Sequence, residues 1–315
     1  MSARRLPAGR VRLALLLRLI GLREFDTLRL LHWLSNKFPI RSMPDRNLAG
    51  QFFLTNRVRS DGGGSQVLYA FFTLAIADWL KMPYRHRPFE RIEHYTGGEQ
   101  DFIDKWNNVF DFSKHFGTPE SFPVFSLGSR FQTLRALTSR SREVGITSHK
   151  FRDVSDRHPE ILEEKRGILR EIYSPREATE SVSSIPRGVL FHLRRGDVTS
   201  QSHPLRFTAV ETLAEDSEIL STALGLQLAE RTVVGDLEPL EAELLAEKGF
   251  HVASTDDAFG ALHQLASAQV LVTGVSSFSY LAGLISQGTV VFRNFWHPPM
   301  ADWVSLSALH AVRDF

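Results

Sequence analysis

Three short stretches of the chain carry side chains that could do chemistry together. The first is "HLRRGD", His192 to Asp197, at the end of an apolar run. Side chains alternate along an extended chain, so His192 and Arg194 share one side with Leu190, and Val189, Phe191 and Leu193 share the other. A guanidinium is a rigid fork of N–H donors that matches phosphate or carboxylate. Arginine beside histidine at a strand end suits a diphosphate; arginine paired with a core carboxylate is the competing reading. The second stretch is "TGVSSFSYLAGL", in which Gly274 ends a strand and Ser276, Ser277 and Phe278 open a helix. Free amides, two hydroxyls and the positive end of the helix dipole make an anion site, although a serine there also caps its own helix. The third is the pair Asp256 and Asp257 in "STDDAF". Two adjacent carboxylates suit a metal ion, or the N1–H and exocyclic amine of a guanine, and one of them serves equally as a helix cap.

A fourth stretch, "RSDGGGSQ", follows a strand and opens a helix, with Gly62, Gly64 and Ser65 placed where backbone could approach a ligand closely. It lacks the Gly-Lys-Ser/Thr of a phosphate-binding Walker loop and is not a dinucleotide fingerprint. The tripeptide Arg195-Gly196-Asp197 has the form of an adhesion signal. That role needs an exposed flexible loop on an exported chain, and here the tripeptide adjoins a buried strand.

The elements that must position these groups are clearest in the second half. Strand-like runs "GVLFHL", "RTVVGD", "FHVAS", "QVLVTG" and "TVVFRN" alternate with amphipathic helical segments. This spacing predicts βαβ units and a parallel sheet, hence a doubly wound Rossmann-like domain. In such sheets ligands bind beyond the carboxyl ends of the strands, where the first three stretches lie. The first half is less regular. It offers a strand at 51–58, an all-round apolar helix from Gln66 to Leu80, and aromatic helical stretches near Phe102–Phe112 and Glu160–Tyr173. The division is read at "SVSSIPRG", giving domains 1–182 and 183–315. The expected fold class is α/β, GT-B-like, with two Rossmann-like domains facing across a cleft.

Composition narrows the classes. The 315 residues carry 37 basic and 36 acidic side chains, a formal charge of +1, so no global basic excess marks a nucleic-acid binder. There are no cysteines, which excludes a disulfide framework, thiolate metal sites and a cysteine nucleophile. The basic and apolar N-terminus reads as a first helix from Arg10 to about Leu34. Its apolar run is too short to span a membrane and is not followed by a cleavage site. The helix either buries one face in the core or lies on anionic lipid through Arg5, Arg10, Arg12, Arg18 and Arg23. A cytoplasmic enzyme, peripheral to the inner face of the membrane in the second case, is the expectation.

The order of motifs resembles the superfamily of GDP-fucose-dependent fucosyltransferases, whose hallmark is His-x-Arg-Arg-Gly-Asp or a close variant. "HLRRGD", the later "SSFSYLAGL" and the earlier "GGGSQVLYAFFTLAIA" carry the likeness, spread over residues 60–292. The resemblance implies an inverting, metal-independent transfer of fucose from GDP-fucose to a glycan or lipid-linked oligosaccharide hydroxyl. It gives Arg194 the donor diphosphate and the leading role in turnover, and His192 a further phosphate contact. Ser276, Ser277 and Phe278 hold phosphate and nucleoside, one of Asp256 and Asp257 reads the guanine, and Gly62, Gly64 and Ser65 line the cleft. No cofactor beyond the donor is implied. Ser65 stands where the family pattern has asparagine, and the aspartates form no Asp-x-Asp. Asp61, His86, Glu90 and His94 are candidates for the general base, and spacing selects none of them. The alternatives are a GT-B enzyme with another nucleotide sugar and a non-catalytic carbohydrate-binding relative.

Overall fold

A computed structural model describes residues 52–93, 95, 98–119, 122–126, 143–178, 188–225, 231–253 and 257–313. The predicted N-terminal helix and Asp256 lie outside the described residues, as does His94. In chain order the elements begin β1 (Phe52–Leu54), α1 (Gly63–Trp79), α2 (Glu99–Val109), α3 (Phe112–Phe116), β2 (Val124–Ser126), β3 (Val144–Thr147), α4 (Phe151–Arg157), α5 (Glu160–Glu163), α6 (Arg166–Ile172) and α7 (Pro175–Ala178). They continue β4 (Val189–His192), α8 (Val210–Leu224), β5 (Arg231–Val234), α9 (Pro239–Glu247), β6 (His251–Val252), α10 (Ala258–Ala266), β7 (Val270–Val272), α11 (Ser277–Ile285), β8 (Thr289–Phe292), β9 (Val304–Ser305) and α12 (Leu306–Arg313). The fold is α/β, with two separate sheets whose strand pairs are all parallel. Among the described residues no helix is long and apolar enough to cross a membrane.

The chain divides into two compact units, and the division is discontinuous. One unit holds 1–58, 69–88 and 112–157; the other holds 59–68, 89–111 and 158–315. The boundary read at 182/183 is therefore not where the units part. Segments carrying the glycine loop and α2 belong to the unit that holds the C-terminal sheet, which a reading by linker composition has no means of expressing.

The first unit has a three-stranded parallel sheet in the order β1-β3-β2. Several of its polar side chains are paired. Arg85 makes a two-pronged ion pair with Glu143 at 2.6 Å for each contact, and its guanidinium lies 5.0 Å from the Phe53 ring centroid. The Asn56 side chain accepts from the Arg87 amide (2.8 Å) and donates to the Arg87 carbonyl (2.7 Å), which fixes the chain after Tyr84.

The second unit has six parallel strands in the order β6-β5-β4-β7-β8-β9. Counted from β4 this is the 3-2-1-4-5-6 order of a doubly wound sheet, in which the order reverses between β4 and β7. One face of β4 enters the core: Val189, Phe191 and Leu193 pack with Val210, Leu213 and Leu220 of α8, Val233 of β5 and Val272 of β7. The other side of the strand carries Leu190 and His192, both buried. The Leu193 amide donates to the Val234 carbonyl (3.0 Å), so the extended backbone runs to the edge of the arginines. Gly249 follows the C-cap of α9 with φ +79°, a left-handed value that suits glycine.

Candidate functional site at the switch point of the C-terminal sheet

The two strands that flank the switch point end in the residues singled out by sequence. β4 delivers His192 and Arg194, and β7 delivers Gly274 and the start of α11. The two ends touch. The His192 and Phe278 rings lie 5.7 Å apart, and a side chain at Gly274 would press on the His192 carbonyl at 2.6 Å and its Nδ1 at 2.8 Å.

His192 is 7% exposed and its Nδ1 has no hydrogen-bond partner. Burial, with smaller contributions from the Arg194 and Arg195 charges, lowers its pKa to about 3. The ring is therefore neutral at ordinary pH, and its Nδ1 is a buried polar atom free to meet a further partner.

The adjacent arginines part company. Arg194 pairs with Asp197 three residues on, and its Nε is buried without a partner. Gly196, at φ +73°, takes the turn that lets Asp197 come back to it. Arg195 points the other way. Its Nε donates to both oxygens of Glu241 at 2.8 Å, its Nη2 donates to the Thr208 carbonyl at 2.8 Å, and its guanidinium lies 4.3 Å from the Phe207 ring centroid. The competing reading of an arginine satisfied by a core carboxylate thus describes Arg195. Arg194 is satisfied only in part. Asp197, read from sequence as a turn residue without further role, is the counter-ion of Arg194.

Sequence reasoning missed Arg206. Its Nη1 lies 4.0 Å from the second oxygen of Asp197, and its guanidinium is 5.5 Å from the centroid of the Trp296 ring in the loop after β8. Its Nε is also buried and unpartnered. Burial is the main cause of its lowered pKa, partly offset by Asp197 and reinforced by Arg194. Nothing in the spacing marks it, because it reaches the site through a loop rather than a strand.

The start of α11 is tied down by its own serines. Ser276 is the N-cap, its Oγ accepting from the Phe278 amide at 3.2 Å. Ser279, which sequence did not single out, accepts from the Gly274 amide and donates to the Gly274 carbonyl, both at 3.1 Å. Ser277, the first helical residue, is half-buried.

The glycine loop packs on the protein itself. A side chain at Gly63 would run into the Trp106 ring at 2.2 Å, and one at Gly64 would meet the Phe278 backbone at 3.1 Å. Gly62 faces open space. The need for glycine at 63 and 64 is thus accounted for by close approach of Trp106 and of α11, which brings the loop beside Phe278. Ser65 donates to Asp61 Oδ2 (2.8 Å), which also accepts from Arg59 Nε (2.9 Å). Of the base candidates, His86 lies in the first unit, buried with its pKa lowered to about 3, its Nδ1 3.0 Å from the Tyr84 hydroxyl.

Asp257 is occupied by the fold. One oxygen accepts from the Gly260 amide at 2.7 Å as the N-cap of α10, and the other pairs with Lys105 Nζ at 2.7 Å. The arrangement brings together a neutral histidine, a helix N-terminus and two arginines that share one carboxylate, groups whose chemistry suits an anion.

No family model matches the chain, and no curated protein does. Among solved structures the chain is similar to POFUT1 in complex with GDP, at 14% identity over 78% of this chain and 98% of that one, with a TM-score of 0.41. It is similar to the NodZ alpha-1,6-fucosyltransferase co-crystallised with GDP, at 11% identity over 78% and 95% of the two chains, with a TM-score of 0.42. The E. coli heptosyltransferase WaaC with ADP-2-deoxy-2-fluoro heptose gives 12% identity over 84% and 98%, with a TM-score of 0.39. Likeness at this level is one of outline, and the chemistry of the site rests on its own residues.

Proposed function

We propose that the chain is an inverting, metal-independent glycosyltransferase of GT-B type that takes fucose from GDP-fucose. The observation that carries the reading is the meeting of His192 and Arg194 with the α11 N-terminus at the switch point, where buried donors lack acceptors. Negative charge builds on the departing diphosphate in the transition state. Arg194, neutral His192 and the α11 amides stabilise it, in place of a metal ion. His192 contributes a hydrogen bond rather than a charge, since its pKa of about 3 keeps it neutral. The acceptor is a glycan or lipid-linked oligosaccharide, met by the first unit. The choice of fucose and of GDP rests on the resemblance of "HLRRGD" and "SSFSYLAGL" to the fucosyltransferase superfamily.

A second reading, the same enzyme class with a different nucleotide, is favoured by one observation. Asp257, a candidate for recognising guanine, has both oxygens engaged by Gly260 and Lys105. Thermal-shift titration with GDP, UDP, TDP and CMP separates the two. Stabilisation by GDP alone, with transfer or hydrolysis of GDP-fucose, supports the first reading. Stabilisation by UDP or TDP instead selects the second, and a chain that binds donor without turning it over is a non-catalytic relative.

A further inference from the structure

We propose that Arg206 is a second phosphate-binding cation of this site, and that Arg195 is the residue that delivers it. The inference rests on the reading of the site as one for a nucleoside diphosphate. A single carboxylate, Asp197, stands between two guanidiniums, with Arg194 on one oxygen and Arg206 Nη1 4.0 Å from the other. The trio carries one net positive charge, beside a histidine that is neutral. Both arginines keep a buried Nε with no acceptor. Such donors are costly unless something fills the place, and the pyrophosphate of a nucleotide has both the charge and the oxygens to do so.

The placement of Arg206 is built rather than incidental. The loop from Asp197 to Thr208 is laced internally. Thr199 and Ser202 exchange hydrogen bonds, each amide donating to the other's hydroxyl at 3.0 Å. The His203 amide donates to the Thr199 carbonyl at 3.0 Å, and the Arg206 amide to the His203 carbonyl at 2.9 Å. The far end is strapped by Arg195, which holds the Thr208 carbonyl and the Phe207 ring while anchored on Glu241. The Arg206 guanidinium then lies over Trp296, half-exposed, which fixes the plane of the fork. The paired arginines of "HLRRGD" thus divide the work: Arg194 faces the ligand and Arg195 folds the loop that brings a third arginine to it.

Isothermal titration of the full chain with GDP and with inorganic pyrophosphate tests this, on wild type and the variants R206A, R206K, W296A and R194A, each checked for a native melting transition. R206A is expected to weaken both probes about 10- to 100-fold, the value of one charge-assisted contact. R206K, which keeps the charge but not the fork, falls between, and W296A loses a few-fold. If R206A and R206K both bind GDP and pyrophosphate as wild type does while R194A does not, the role of Arg206 is overturned and the nucleotide reading stands. If pyrophosphate binds wild type in an Arg206-dependent way but GDP binds no tighter than pyrophosphate, the nucleotide reading fails and the two-arginine site stands. If wild type binds neither, both fall.

Discussion

Two arginine–carboxylate clusters leave opposite sides of one strand end, and they are finished to different degrees. On the core side, Arg195 donates to both Glu241 oxygens and to the Thr208 carbonyl, and only 8% of the residue is exposed. A similar cluster sits between α8 and α12, where buried Asp216 takes Arg293 on one oxygen and His310 Nε2 at 2.7 Å on the other. On the opposite side of β4, Asp197 is shared between Arg194 and Arg206, with buried donors left over. The same functional groups are fully paired in the first two clusters and only partly paired in the third. What differs between the clusters is the pairing of the guanidinium donors.

That contrast can be broken by mutation. The largest effect is expected at the finished cluster. Arg195→Ala leaves Glu241 without its partner and should cost on the order of 3–5 kcal/mol of stability, read as a lowered melting temperature. A stable R195A protein would show that the strap is dispensable. At the unfinished cluster, Arg194→Ala should cost about a hundredfold or more in turnover of GDP-fucose while the melting transition stays near wild type. Near wild-type turnover would remove Arg194 from the mechanism.

The neutral histidines sharpen the comparison through pH. His86 and His192 have pKa values lowered to about 3 by burial, one in each unit. The unfolded chain binds a proton at each below about 6.5, and the folded chain does not until near 3. Stability should therefore be intact above pH 6.5 and fall as the pH drops, each histidine adding up to about 1.4 kcal/mol per pH unit. Melting temperatures between pH 7.5 and 5 measure it, and H86F or H192F should flatten the slope. A flat profile in the wild type would mean that the rings are protonated or exposed. The smallest effect belongs to the helix cap: Ser276→Ala should cost about 1 kcal/mol, with a loss of nucleotide affinity only if the hydroxyl also meets the ligand.

How much of this was legible in the sequence differs by unit. The strands and helices after Gly188 were readable because each is a short apolar run between turn residues, and their alternation dictates a parallel sheet. The helix predicted from Gln66 starts at Gly63, and Glu160–Tyr173 divides into α5 and α6. The first unit resisted because β1, β2 and β3 are brief and spread along the chain, with two segments of the other unit threaded between β1 and β2. At the site, alternation along β4 separated Arg194 from Arg195. Arg206 was invisible because loop closure, not periodicity, brings it back. The glycines were read for a ligand, whereas Trp106 and Phe278 account for two of them.

The six-stranded sheet tapers. Its outermost strands, His251–Val252 and Val304–Ser305, are two residues long, while the four between them have three or four. An edge strand is a row of unsatisfied amides and carbonyls that another chain can join, and two residues are too few to template such a junction. The sheet thus places its longest pairing at the centre, beside the candidate site, and leaves only short edges at both margins. Lengthening β6 or β9 by a few β-branched residues would leave the site untouched and make the protein prone to associate through its sheet.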